Sequence, residues 1–421
     1  MSRSRKVGFS KLLNIDDVLE KFFSYGVVHR IQAEEVPIVS SVGRVLASNL
    51  VTNIDLPPYD RSAVDGFALK AEDTLRSSES NPVSLKIVDT VEIGTTPKVP
   101  IRKLEAVRIS TGAPRPVGAD AVVMIEHAEQ KKDQVKIFNP ISAWKNMIKK
   151  GEDVKVGDLL LEEGSDIMPQ DVGMLSALSL SSIKVVRKPR VAVLSVGDEL
   201  LKESSKQAYG KTVDINRPAI MSSLLQDGCE PLDLGIVGDD FGIVEAKVTG
   251  ALGKNDMLLV GGGTSVGSKD IVPDVLDSLG EPGIVAHGLA IRPGKPAGLA
   301  ILNKKPVVLL PGYPVAALIT YSIIARPIIL RLLGNENIRN KDDIVNARLT
   351  RTIDSSPGIR EFVRVTIRAE SSGFSAEPVT ASGASILSSM VRSNGIFVVP
   401  ENTESIRQNE LVEVRLIRPL K

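Results

Sequence analysis

The chain has 421 residues, and at roughly 150 residues per domain this length predicts about three domains. Its 52 Lys and Arg residues balance 51 Asp and Glu residues, so the net charge does not favour non-specific nucleic-acid binding. Cys229 is the only cysteine, which excludes an intramolecular disulfide and a cysteine-based zinc site. No apolar run is expected to reach membrane-spanning length, and the start of the chain lacks a signal-peptide pattern, so we expect a cytoplasmic protein that does not enter a membrane.

The first part of the chain predicts a helical start followed by a β-rich segment. Apolar residues at helical spacing predict a helix over 16–24, and a second short helix is expected across Val42, Val45 and Leu46. The Pro57-Pro58 pair then interrupts regular structure. From there to about residue 140, alternating apolar residues separated by turns predict a small β domain.

Predicted strands and helices alternate from residue 190 onward. Strands are expected over 190–196, 232–237 and 257–260, and such βαβ units indicate a mainly parallel, doubly wound sheet. Asn216 is expected to be the N-cap of the first intervening helix. The last helix is expected over 315–333, bent or broken at Pro327.

After Gly334 the helical pattern stops. The following segment contains short runs of alternating or β-branched residues, which are typical of strands. These runs are 363–367, 396–399 and 411–416. They predict a C-terminal β domain.

Three loops rich in Gly and Pro follow short apolar runs between residues 256 and 314. They are 261–270 (GGGTSVGSKD), 292–296 (RPGKP) and 311–314 (PGYP). Buried strands that end in such loops place them at one rim of an α/β sheet, where ligands bind. Bare glycine backbone beside Lys269, Arg292 and Lys295 suits an anion such as a phosphate.

The first of these loops is neither a P-loop nor a dinucleotide fingerprint. Ser268 or Asp270 as the N-cap of a following helix would explain one polar residue. It would not explain three consecutive glycines and a further glycine at Gly267. Close approach of a ligand to this backbone is therefore the favoured interpretation.

Acidic residues follow successive strands at the same predicted rim. They are Asp198 and Glu199, Asp239 and Asp240, and Asp270. Each alone is explained as a cap or a solvated turn residue. Their repetition at one edge favours a shared Mg²⁺ site, because Mg²⁺ binds through one or two carboxylates, waters and substrate phosphates.

Motifs along nearly the whole chain match one family. The matching stretches are 56–68 (LPPYDRSAVDGFA), 108–114 (RISTGAP), 151–153 (GED), 197–200 (GDEL), 214–217 (DINR), 262–270, 292–296, 311–314, 382–385 (SGAS) and 394–395 (NG). In this order they resemble the molybdopterin molybdenumtransferase family (the MoeA family, which includes the E domain of gephyrin). Several ordered motifs together are far more specific than any single one.

The resemblance implies a fold, a reaction and partners. The fold is α/β plus β, in an elongated homodimer whose subunits have four domains. The reaction is insertion of molybdate into adenylylated molybdopterin with Mg²⁺-dependent release of AMP, and the molybdopterin adenylyltransferase is a possible partner. The expected domains are a discontinuous N-terminal domain over 1–55 with 145–183, a small β domain over 56–144, a molybdopterin-binding α/β domain over 184–335 and a C-terminal β domain over 336–421.

The resemblance also implies the functional residues. The catalytic acids would be Asp65, Asp153, Glu199, Asp239 and Asp270, and the last three would be the metal ligands. Substrate contacts would come from Thr111, Gly262, Gly263, Ser265, Gly267, Arg292, Lys295, Pro311 and Pro314. In such a dimer, Asp65 would complete the site of the partner subunit.

Three positions depart from the family pattern. His287 stands where some relatives carry a lysine, Arg292 replaces a lysine, and Tyr313 replaces the asparagine usual in the last loop. Arg292 keeps the charge but offers a planar fork instead of a point charge. These changes affect the oxyanion contacts and leave the reaction class unchanged.

Other functions stay open at this stage. Because the third region alone resembles the partner enzyme's domain, adenylylation of molybdopterin is a second enzyme hypothesis. A non-catalytic pterin-binding scaffold is a third. The sequence does not distinguish molybdate from tungstate, since the two oxyanions share charge and nearly share shape.

Overall fold

The protein is described by a computed structural model that covers residues 12–206, 208–263, 271–334, 343–371, 373–379 and 383–420. The chain forms two compact units. The first unit comprises Met1–Glu35, Gly43–Ala47 and Lys184–Lys421, and the second comprises Val36–Val42 and Ser48–Ile183. The strands Ala33–Pro37 and Ser182–Val186 contain two of the four chain positions where one unit gives way to the other.

A six-stranded mixed sheet is the centre of the first unit. Its strands, in spatial order, are Glu230–Val237, Arg190–Val196, Met257–Gly261, Lys305–Leu310, Gly298–Leu302 and Gly283–His287. The first four are mutually parallel, Gly298–Leu302 runs antiparallel to Lys305–Leu310, and Gly283–His287 runs antiparallel to Gly298–Leu302. The helices of this unit are Ile15–Ser24, Asn216–Gln226, Phe241–Lys254, Val272–Ser278, Pro314–Thr320, Arg326–Leu332 and Leu387–Arg392.

Both faces of this sheet are covered, which explains its continuous apolar strands. In the strand Arg190–Val196, Val191 and Val193 pack on one side with the helix Asn216–Gln226. Ala192, Leu194 and Val196 pack on the other side with the helices Phe241–Lys254 and Val272–Ser278. The doubly wound, mainly parallel sheet expected from the sequence is confirmed.

The last helical segment follows the strand Lys305–Leu310. It runs as an α-helix over Pro314–Thr320, a π-helix over Tyr321–Ala325 and an α-helix over Arg326–Leu332. The wider turn directly precedes Pro327, which has no N–H to donate, so the break expected there takes the form of a π-helical segment. At 19 residues the segment is long and apolar enough to cross a membrane, contrary to our expectation, but 67% of it is buried inside the protein.

The C-terminal part of the first unit contains a second sheet. Its strands, in spatial order, are Ile291–Arg292, Arg360–Glu370, Gly373–Pro378, Ile344–Leu349, Leu411–Leu416 and Gly395–Val399. An additional pairing between Arg360–Glu370 and Gly395–Val399 closes five of these strands into a small barrel. Two shorter strand pairs are Leu200–Leu201 with Thr212–Val213 and Ile353–Asp354 with Ser405–Ile406.

The second unit is built on a six-stranded sheet. Its strands, in spatial order, are Ala121–Met124, Gly66–Leu69, Glu105–Ile109, Val83–Val91, Gln134–Ile137 and Ala128–Lys131. Apolar side chains cover both faces, with Phe67 and Leu69 on one side and Ala68 and Val107 on the other. Shorter elements are the strand pairs Leu50–Val51 with Leu159–Leu161 and Arg61–Ser62 with Met147–Ile148, the helix Pro169–Ala177, and the 3₁₀ turns Ile38–Ser41, Ala71–Thr74 and Ile125–His127.

Two local expectations were wrong. Val45 and Leu46 form β-bridge contacts rather than a helix, because the β-branched Val42 and Val45 flank Gly43, whose φ of +74° breaks any helical run. Asn216 is the first residue of its helix, with Ile215 as the N-cap. Its side-chain Nδ2 donates to the carbonyl of Gly312 (2.7 Å) instead of capping the helix.

Candidate active site

A cleft of about 1110 Å³ lies at the carboxyl ends of the parallel strands in the first unit. Strand ends at Ser195 and Gly261 form its floor, and the loop at 311–314 follows the next strand. The remaining wall comes from the C-terminal sheet. The lining segments are 199–200, 212–216, 261–263, 291–296, 311–314, 359, 361–364 and 383–385. The described residues of the three predicted loops therefore line one cavity of the size that small-molecule sites have.

The glycine-rich rim needs glycine for a reason that the sequence did not reveal. Gly262 has φ +83°, and a Cβ there would lie 2.1 Å from the carbonyl oxygen of Val196. Gly263 has φ +58°, and its Cβ would meet the Val272 side chain at 3.0 Å. These glycines let neighbouring backbone pack closely beneath the cleft. The predicted residues Ser265, Gly267 and Asp270 lie outside the described residues.

Two cationic side chains of the loop 292–296 line the cleft, and they differ in whether they already have a partner. The Arg292 guanidinium is already engaged, since its Nη2 donates to Ser356 Oγ (2.9 Å) and its Nη1 lies 3.5 Å from Glu361 Oε2. Lys295 is exposed on the cleft, and within the described chain no carboxylate pairs with its ammonium. Lys295 is therefore the more available of the two for an incoming anion.

Sequence reasoning missed Arg364. It lies on the strand Arg360–Glu370, lines the cleft and is only 7% exposed. Its Nε is buried without a hydrogen-bond partner, and no side chain in the described ranges forms an ion pair with its guanidinium. Burial lowers the pKa of Arg364, and the charge of Glu361 acts in the opposite direction.

A buried arginine stays charged, so its side chain places a positive charge against the cleft, and no carboxylate in the described ranges forms an ion pair with it. Burying a charge without a partner is costly, and an anion in the cleft would remove that cost. The one signal in the sequence was a charged residue within the strand pattern Val363-Arg364-Val365, where an alternating strand predicts a solvated side chain.

The position of Arg364 relative to the loop 292–296 is fixed by its own strand. Ile291–Arg292 pairs in parallel with Arg360 and Glu361 of that strand. The Arg360 amide donates to the Ala290 carbonyl (2.8 Å), and its guanidinium pairs with Asp16 and with Glu401 (2.8 Å). These hydrogen bonds, that to Asp16 first, raise the pKa of Arg360. Lys295 and Arg364 are thus held on one rigid frame.

An acidic wall faces the same cavity. Glu199 is exposed on the cleft, and its carboxylate has no hydrogen-bond partner in the described part of the chain. It lies so close over Gly197 that a Cβ there would be 2.7 Å from Glu199 Oε2. Asp239 accepts a hydrogen bond from the Asp198 amide (3.3 Å), and it is not among the described residues that line the cleft.

Asp214 adds a buried acid to this wall. It is 3% exposed, and Arg217 donates to it through Nε (3.1 Å). The same guanidinium also pairs with Asp233 and with Glu203 (2.9 Å). Arg217 therefore ties together three chain segments that support this side of the cleft.

Three of the predicted functional residues, Asp65, Thr111 and Asp153, belong to the second unit. Asp65 accepts hydrogen bonds from the Thr111 amide (3.0 Å) and the Thr111 hydroxyl (2.9 Å), which lower its pKa. Asp153 is exposed, and its carboxylate has no partner among the residues that the structure describes. The structure thus brings Asp65 and Thr111 together. His287 is half-buried and opposite Gly298, away from the described lining of the cleft.

Comparison with known proteins adds the family. Models of the MoeA N-terminal region (domain I and II), the "Probable molybdopterin binding domain" and the MoeA C-terminal region (domain IV) match residues 13–179, 192–331 and 346–417. A Bacillus subtilis protein named molybdopterin molybdenumtransferase is 32% identical over 391 residues, which is 92% of this chain and 90% of that protein. The chain belongs to the molybdopterin molybdenumtransferase family.

Members of this family are transferases of molybdenum cofactor biosynthesis, so the recognition made from the motifs is confirmed. A Methanocaldococcus jannaschii protein named for molybdopterin biosynthesis is 34% identical, covering 95% of this chain and 96% of its own. The crystal structure of a MoeA protein from Pyrococcus horikoshii superposes with a TM-score of 0.86 at 34% identity, over 97% of this chain and all of that one. This likeness confirms the α/β plus β architecture.

Proposed function

We propose that the protein inserts molybdate into adenylylated molybdopterin and releases AMP in a Mg²⁺-dependent reaction. Membership of the transferase family supports the reaction class. The carrying observation is Arg364, a buried and unpaired cation in the wall of the cleft. Such a group is explained by an anionic ligand that completes its hydrogen bonds.

The substrates supply the anions that this cleft suits. Molybdate carries two negative charges, and adenylylated molybdopterin contains a pyrophosphate link. Lys295 and Arg364 present two cations without protein partners among the described residues. Charge-assisted hydrogen bonds to oxyanions are about twice as strong as neutral ones. Positioning both anions in one cleft is the main contribution that this part of the chain can make to the transfer.

The residues present also fit a magnesium ion. Glu199 offers a carboxylate that accepts no hydrogen bond within the described chain, and Mg²⁺ needs only one or two carboxylates besides water and phosphate oxygens. Within the described ranges no group of three or more His, Cys, Asp or Glu side chains could hold a metal by itself. Glu199 would therefore hold the ion together with the substrate's phosphates, and the ion would neutralise charge on the leaving AMP.

Other expected contributions stay proposals. Asp270 and Asp239 are retained as proposed catalytic acids, and Ser265 and Gly267 as proposed substrate contacts; of these four, only Asp239 lies within the described residues. In a homodimer, Asp65 would complete the site of the partner subunit, Thr111 would contact substrate, and Asp153 would be a further catalytic acid from outside the molybdopterin-binding domain. We also expect the protein to work in the cytoplasm and to receive its substrate from the molybdopterin adenylyltransferase.

The proposal is tested by turnover of matched variants. Glu199→Gln keeps the shape of the side chain and removes its charge, so AMP release should fall by at least roughly a hundredfold. Glu245→Gln, on the helix Phe241–Lys254, makes the same change away from the cleft and should leave the rate unchanged. Wild-type rates in Glu199→Gln would remove Glu199 from the mechanism. A wild-type protein that consumes ATP with bare molybdopterin would point to adenylylation instead.

A further inference from the structure

The Asn216 side chain presents a fixed hydrogen-bond acceptor at the cleft. Its Nδ2 donates to the Gly312 carbonyl (2.7 Å), and a carbonyl oxygen can only accept, which settles the orientation of the amide. The Oδ1 atom is consequently the free end. It is shielded from water and accepts no hydrogen bond in the described chain.

An unsatisfied buried acceptor is costly in free energy and rare in native proteins. Asn216 itself lines the cleft, so a ligand is the natural source of the missing donor. The donor has to be an N–H or O–H group that arrives within the plane of the amide. Phosphate and molybdate oxygens cannot supply it, because as anions they accept hydrogen bonds.

Tyr313 lines the same cleft as this acceptor. It directly follows Gly312, the residue to which Asn216 is anchored, and it is 63% exposed. An exposed aromatic ring in a binding cleft is a stacking surface for a flat heterocycle.

We infer that Asn216 and Tyr313 together recognise a flat heterocycle that carries an amino group. Tyr313 stacks on the ring, and Asn216 Oδ1 accepts from the exocyclic N–H. The inference rests on the proposed function, whose substrate holds two such rings. Both the pterin and the adenine carry an exocyclic amino group, so the shared chemistry is the amino-substituted ring.

Two ligand pairs distinguish the rings. 6-Hydroxymethylpterin and 6-hydroxymethyllumazine differ by an amino or an oxo group at one ring position, and AMP and IMP differ in the same way. In equilibrium binding, the wild-type protein should favour the amino member of one pair by roughly tenfold or more, because a site that accepts a hydrogen bond rejects an oxo group. The pair that shows this ratio identifies the ring to which Asn216 forms a hydrogen bond.

The variants separate the two roles. Asn216→Leu, or Asn216→Ala if leucine disturbs folding in a thermal melt, should bring that ratio to within about twofold. Tyr313→Ala should weaken both members of the pair alike and leave the ratio intact. Gln226→Leu, at the other end of the same helix and away from the cleft, is the matched control and should change neither value.

Contrary outcomes are distinct from failure of the proposed function. An unchanged ratio in both Asn216 variants, or no preference for amino members in the wild-type protein, overturns the inference even if AMP release is normal. Conversely, a wild-type protein that prefers the amino member of a pair but releases no AMP supports the inference about Asn216 and Tyr313. The same result contradicts the proposed reaction.

Discussion

Replacing Arg364 with methionine should stabilise the protein and disable it. The guanidinium is 7% exposed, its Nε has no partner, and burial lowers its pKa. Leaving such a polar group buried costs about 1–3 kcal/mol. Methionine retains the apolar stem and fills a similar space. We therefore expect Arg364→Met to raise the free energy of unfolding of the first unit by about 1–2 kcal/mol, which corresponds to a rise of roughly 2–4 °C in its melting temperature.

The same change should remove the strongest oxyanion contact. Hydrogen bonds to charged groups contribute about 1.5–3 kcal/mol, so the Kd for molybdate should rise by roughly 10- to 100-fold. Isothermal titration with molybdate measures the affinity, and differential scanning calorimetry measures the stability. Opposite signs in the two experiments are the specific signature of a functional charge held at a cost in stability.

Arg368→Met is the matched control. Arg368 lies on the same strand, is 69% exposed and forms a surface ion pair with Glu377 (3.2 Å). Exposed pairs of this kind contribute about 0–1 kcal/mol, so neither measurement should change appreciably. A variant Arg364→Met that melts at a lower temperature and still binds molybdate with wild-type affinity would refute the reasoning, since Arg364 would then be a structural residue.

Three further predictions test local interactions in the two units. Gly262→Ala should lower the free energy of unfolding by more than about 2 kcal/mol or prevent folding, because φ is +83° and the new Cβ would lie 2.1 Å from Val196 O. Gly312→Ala is the control, since its Cβ meets nothing within 4 Å. Thermal melts compare the two variants. Asp65 has a pKa below 3.8, so it stabilises the folded state above that pH and loses this effect as the pH falls through the lowered value. Thr111→Val removes the hydroxyl donor to Asp65 and keeps the backbone amide donor. An NMR titration should therefore show the pKa of Asp65 rising toward 3.8 without reaching it. Arg217→Met should lower the free energy of unfolding by about 3–5 kcal/mol in a denaturant titration, because Asp214 at 3% exposure loses its counterion. Arg190→Met is the control, since Arg190 forms an exposed pair with Glu230 and its loss should change the free energy of unfolding by less than about 1 kcal/mol.

The architecture was largely predictable because it follows from local periodicity. The strand Arg190–Val196 was predicted to the residue, and the strand Leu411–Leu416 likewise, since apolar runs and alternation report burial directly. The helix expected near Val45 failed because three apolar residues at helical spacing also fit a β-bridge when glycine interrupts them. The sequence carried no signal for the π-helical form of the break before Pro327.

The site was predictable only where its residues cluster in sequence. The loops around Lys295 and Gly312 were recognisable as a rim, and the structure places both on one cleft. Arg364 comes from a strand that is far away along the chain, and only tertiary packing reveals that it is buried and unpaired. The role of Asn216 likewise depends on a contact with Gly312, which is 96 residues away.

The central claim is most directly tested by product analysis of a single reaction. Purified protein is incubated with adenylylated molybdopterin, molybdate and Mg²⁺, and AMP and metallated cofactor are quantified together by mass spectrometry. The proposed function predicts equal amounts of both products, and neither product when molybdate or Mg²⁺ is left out. Absence of AMP and of metallated cofactor from the complete mixture would contradict it.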